Sequence, residues 1–289
     1  MLFLLLRVIS APLSVLLGTW AQRRFGHAVG GLIVGLPLLF LPFLWLISQE
    51  YGIDFARTMI ASLLVATSAE VALLWSFAYL AQRSSAPRAL CGALVAFVLV
   101  VAVLKVADVS LVVGTALALL SLLLALVLWP RTAPGAHLAT KPRLALRLAV
   151  STAFTVMLIS LAGHLGAGMS GILDTIPLTS LMMAFLTSRE TSAEGASTFL
   201  RGVTRGSFSY VVAMFVLVEM WRANDGLVAF GVSLLAALVV QVTIQWSNSL
   251  AILCLALRSD RVTSRVGHHV NRRVPGASTF KKFYESISA

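Results

Sequence analysis

Residues 84–130 contain three charged side chains, Arg88, Lys105 and Asp108, and these bound two long apolar runs. A helix needs about 20 apolar residues to cross a hydrocarbon core of roughly 30 Å. Inside that core every backbone N–H and C=O must be paired within the chain. The runs 88–105 and 109–129 meet both demands, with Lys105 and Asp108 in the turn between them. Read the same way, the chain has spans over 2–20, 29–48, 56–81, 88–105, 109–129, 144–162, 170–187, 197–221 and 226–257. As one helix the last would measure roughly 48 Å. A turn at "QWSNS", residues 245–249, would split it, so the count is nine or ten. The chain is 11% charged, against about 25% in soluble domains, and its mean hydropathy is +0.94. An all-α polytopic membrane protein is expected, since a β-barrel would be written as short alternating segments.

The outline of the chain is written twice. Leu6, Arg7, Gly26, Gly31, Pro37, Leu38, Ser48 and Glu50 match Leu146, Arg147, Gly166, Gly171, Pro177, Leu178, Ser188 and Glu190, without a gap, at a constant separation of 140. Aliphatic identities between two apolar segments carry little weight; matched glycines, a proline and a glutamate carry more. Residues 1–140 form a first unit of about five spans and 141–258 a second of four or five, followed by a basic tail, 259–289. An odd number of spans per unit makes the second copy enter from the opposite face. That is the inverted-topology repeat common among secondary transporters.

Charge orients the chain. Arg23 and Arg24, Arg83 and Arg88, and Arg131, Lys141 and Arg143 fall in loops on one side. Basic loops mark the cytoplasmic side, so the N-terminus is expected outside. Nine spans place the basic tail inside and ten place it outside; charge favours nine and repeat symmetry favours ten. The net charge of +11 thus belongs to span ends and tail, and nucleic acid is not an expected partner. The N-terminus is read as the first span, because a signal peptide would carry a basic region before its apolar stretch. Trp20, Trp45, Trp129 and Trp221 read as interfacial belt residues, and Arg7 and Arg147 as interfacial anchors. Cys91 and Cys254 read as packing residues. His268 and His269 are too weak a pair to indicate a metal site, and no metal or cofactor is expected.

Two spans carry helix breakers at matching positions. Pro37 and Pro177 deprive the carbonyls of Ile33 and Leu173 of their usual donors. Gly30, Gly31 and Gly35 precede the first; Gly166, Gly168 and Gly171 precede the second. Paired Gly/Pro-interrupted spans point to a midplane transport site. The competing reading is close helix packing, since "GLIVG" (31–35) and "GVTRG" (202–206) both have small residues four apart. Asp174 lies three residues before Pro177. A carboxylate at that depth faces a cavity or a partner, so it is a candidate for binding a cation, a proton or a cationic substrate group, or for pairing with an arginine. Glu70, with Thr67 one turn away, is a second candidate proton carrier, or a plain interhelical hydrogen-bonding group. Its repeat mate is Tyr210. Thr198, Arg201, Arg205 and Ser209 share one helical face. Arg201 suits snorkelling to the interface, and Arg205 suits pairing with Asp174 or Glu70 or holding an anionic substrate group.

About ten short spans in two halves within this length resembles the drug/metabolite transporter superfamily of bacterial inner membranes. "GGLIVGLPL" and "RFG" also look like elements of uncharacterised bacterial membrane proteins. The resemblance implies export or uptake of a small metabolite, coupled to protons or exchange, with a multi-pass location in the inner membrane; it transfers no site residue. A secondary transporter is therefore expected, with membrane lipids and a small-molecule substrate as partners and a homodimer left open. The alternative is a non-transporting scaffold subunit of an envelope-assembly complex, docking through its basic tail. An enzyme is not expected, because no P-loop, HExxH, GxSxG or CxxC pattern is present.

Overall fold

Single glycines and prolines, rather than loops, divide the first eighty residues. α1 (Leu2–Phe25) gives way to α2 (His27–Val34) at Gly26, whose φ of 90° suits a residue without Cβ. α3 (Phe40–Tyr51) gives way to α4 (Ile53–Leu80) at Gly52, φ 85°. α5 (Ala86–Val106) and α6 (Leu111–Val127) follow, then a helical segment at 144–150. α7 (Leu178–Glu190), α8 (Ala193–Met220) and α9 (Gly226–Ile244) complete the order. The computed structural model describes residues 2–37, 40–107, 109–131, 144–150, 152–153, 177–221 and 226–244. Residues 1–241 form one compact unit, and 242–244 are the end of α9.

Among the described residues there is no strand, and four helices are long and apolar enough to cross a membrane: α4, α5, α8 and α9. α5 and α9 turn large aliphatic side chains outward, among them Val98, Val103, Leu227 and Leu235, and α6 adds Val112 and Leu123. A soluble monomer does not expose apolar faces of that extent; against lipid they carry no penalty. α4 and α8 form the interior, their buried side chains running nearly the whole length of each.

The span expected over 29–48 is two helices, α2 and α3. Pro37 supplies no N–H, and the Ile33 carbonyl instead accepts from Leu36 N, three residues on, at 3.3 Å. The Pro37 carbonyl then starts α3, accepting from Phe40 N and Leu41 N at 3.2 and 3.0 Å.

α4 and α8 run in opposite directions. The end of α6 meets Trp75, late in α4, whose indole donates to the Leu128 carbonyl at 3.2 Å. Trp129, just beyond, donates to Ser197 Oγ, early in α8, at 3.1 Å. At the other end Ala56, Met59 and Ile60 of α4 share a cluster with Met214, Leu217 and Val218 of α8. These contacts correct the reading of Trp129 and Trp221 as belt residues: both are buried. Trp20 and Trp45 are exposed, as belt residues are.

Local structure recurs at the separation of 140. α4 and α8 each have 28 residues, and both their first and last residues are that distance apart. Leu41 N donates to the Pro37 carbonyl, and Leu181 N to that of Pro177. Ser48 Oγ donates to the Trp45 carbonyl, and Ser188 Oγ to that of Phe185, both at 2.7 Å. Thr67 donates to the Leu63 carbonyl, and Ser207 to that of Val203. The chain reverses into α8 by a different device from that into α4: Ser192, in place of Gly52, accepts from Gly195 N at 3.0 Å and caps the helix.

Candidate functional site

The first helix break is held against α8 by backbone-to-backbone packing. A Cβ on Gly31 would strike the Phe199 carbonyl, and one on Gly202 the Ala28 carbonyl. On Gly35 it would lie 2.5 Å from the Val203 carbonyl oxygen, and on Gly206 2.7 Å from that of Leu32. The "GLIVG" and "GVTRG" motifs therefore pack on each other. The close-packing reading thus holds for the first break: the helix is interrupted at Pro37, and its glycines admit α8 to close range. α2 and α8 run in the same direction, since His27 lies beside Gly195 and Gly35 beside Gly206.

Tyr210 stands beside this break. Its ring is 5.5 Å from that of Phe40, the first residue of α3. Glu70 holds the equivalent position on α4, partly buried. Its carboxylate makes no ion pair or hydrogen bond to a described residue. Thr67, one turn away, spends its hydroxyl on the Leu63 carbonyl at 2.9 Å, and Ser68 Oγ is buried without a partner.

The polar face of α8 grades inward. Arg201 is exposed, Arg205 is partly buried, and Ser209 is fully buried. Arg205 forms no ion pair with Glu70, so that half of its expected pairing is corrected. Two separate polar points, one on each of two antiparallel helices, result instead. Ser209 Oγ lies 2.7 Å from the Gly206 carbonyl and 3.2 Å from Gln241 Oε1 of α9.

Arg147 departs furthest from its sequence reading. It is no interfacial anchor but a buried centre, 2% exposed. Its Nε and Nη2 donate to Glu190 Oε2 at 3.2 and 2.8 Å. Nη1 donates to Gln22 Oε1 at 3.0 Å and Nη2 to Thr187 Oγ1 at 3.2 Å. One guanidinium thus ties the 144–150 helix to the last turns of α1 and α7, each of its three nitrogens donating, as its planar fork allows. Gln22, Glu190 and Thr187 were not legible as its partners, though the repeat had matched Arg147 to Arg7 and Glu190 to Glu50.

Asp174, Gly166, Gly168, Gly171, His268 and His269 lie outside the described residues, while Pro177 immediately precedes α7. Among the described residues no group of three His, Cys, Asp or Glu side chains is placed to hold a metal. No protein-family model, curated protein or solved structure matches the chain.

Proposed function

We infer that the protein is a secondary transporter of a small metabolite, of nine or ten spans, in a bacterial inner membrane. The observation that carries this reading is the relation between α4 and α8: equal length, equivalent positions in the two halves, opposite directions. Two copies inserted with opposite topology give that relation, and such repeats move against each other to expose a central site to either face in turn. The interruption at Pro37 lies against α8 with Tyr210 beside it. The match of Glu70 to Tyr210 and of Pro177 to Pro37 supports setting Glu70 beside Pro177, three residues after Asp174 in sequence. The proposed site joins Glu70 and Asp174 as proton or cation carriers with Arg205 as the group for an anionic part of the substrate. Glu70, a carboxyl at membrane depth with no partner among the described residues, fits a relay.

Purified protein in proteoliposomes, with pyranine inside, tests the reading against a panel of amino acids, amines, organic acids and nucleosides. A member of the panel is expected to drive proton movement. Glu70→Gln and Asp174→Asn are each expected to lower it by about 100-fold, the lower end of what a positioned proton-transfer group contributes. Removal of residues 259–289 is expected to leave it intact. Proton movement unchanged in both carboxyl variants would refute the assignment, and a loss confined to the tail deletion would favour the scaffold.

A further inference from the structure

A buried ion pair is a poor device for stability, since apolar residues of similar size in its place are often neutral or stabilising. Arg147 and Glu190 nevertheless meet at 2.8 Å with side chains 2% and 12% exposed, where three segments of chain converge. Glu190 is the last residue of α7, and Gln22 lies in the last turn of α1. The pair therefore sits where the ends of α1 and α7 meet. The arrangement also leaves two groups over. Thr19 Oγ1 and Gln22 Nε2 are buried and have no hydrogen-bond partner. They are three residues apart on α1, hence on one face, and the other end of the Gln22 amide is the one that Arg147 holds. Buried donors without partners are costly, and water reaching them would remove the cost. An arrangement in which the pair has parted would hydrate both.

Resting on the transporter reading, we propose that the Arg147–Glu190 pair is a gate. It closes the meeting of the α1 and α7 ends, and its parting during the cycle admits water to Thr19 and Gln22. Gly18 lets α1 lie close to α7: a Cβ there would be 3.2 Å from both Sδ and Cε of Met183.

The full chain is reconstituted with Thr19→Cys as its single cysteine, Cys91 and Cys254 being replaced by serine. The rate of reaction with a membrane-impermeant sulfonate-bearing methanethiosulfonate is measured without substrate. Glu190→Gln and Arg147→Lys are expected to raise that rate by roughly tenfold, because each weakens the closed state relative to the open one. Arg147→Lys keeps the charge and serves if Glu190→Gln does not fold. Arg147→Met/Glu190→Met is expected to label no faster than the parent, its apolar contact holding the gate shut. Rates within about twofold of the parent in both single variants, or a rise in the double variant as large as in the singles, would overturn the gate. The readout needs no transport. A gate that labels as expected in a protein that moves no substrate would sink the transporter reading and leave the opening of the pair standing.

Discussion

Gly31→Ala is expected to lose at least about 3 kcal/mol of stability, the upper range for overpacking, or to yield no monodisperse protein. One methyl group is added, but it meets the Phe199 carbonyl and the Val203 nitrogen, which are backbone atoms of α8. A side chain can turn away from such a contact; a helix backbone has to move as a body, and α8 also packs on α4, α6 and α7. Gly231→Ala in α9 is the control. Nothing lies within 4 Å of its Cβ position, so a change within about 0.5 kcal/mol is expected. Thermal unfolding of the two variants in one detergent checks both. Comparable losses would mean that the α2–α8 seam is no closer than an ordinary helix contact.

Arg147→Met is expected to cost about 3–5 kcal/mol, the usual result of stranding one member of a buried pair. Glu190 would lose both guanidinium bonds, and Gln22 and Thr187 would lose the donor each accepts from. Arg147→Met/Glu190→Met is expected to recover most of the loss, because the carboxylate that lost both guanidinium bonds is removed as well. A double-mutant cycle read by unfolding in mixed micelles measures the coupling. Independent, additive effects would show that the two side chains do not depend on each other.

Much of the fold was legible because the breakers act locally. Pro37 interrupts its span for a reason contained in its own residue, and the register of 140 found in the sequence returns in the ends of α4 and α8. What sequence could not settle was tertiary. An arginine near the start of a span reads equally as an anchor or as a partner, and only the arrival of α1 and α7 makes Arg147 the second. The same holds for Trp129, whose indole finds Ser197, a residue 68 positions away. For the glycines, a transport site and close packing were the alternatives, and the packing is what the structure bears out: the backbone exposed by Gly31 and Gly35 is what α8 packs on. Glu70 was legible as an acidic residue at membrane depth, and its lack of a described partner keeps it a candidate; Arg205 was legible as a cation one turn deeper than Arg201.

The account rests on α4 and α8 crossing the membrane in opposite directions as equivalents. Asp54, 99% exposed in the first turn of α4, and Glu194, in the first turn of α8, mark their starting ends. Each is changed to cysteine in the Cys91→Ser/Cys254→Ser chain, and intact cells are treated with an impermeant maleimide before and after permeabilisation. The cysteine at 54 is predicted to label from outside, and that at 194 only once the cytoplasmic face is open. Labelling of both from the same side would contradict the inverted arrangement and the transport mechanism built on it.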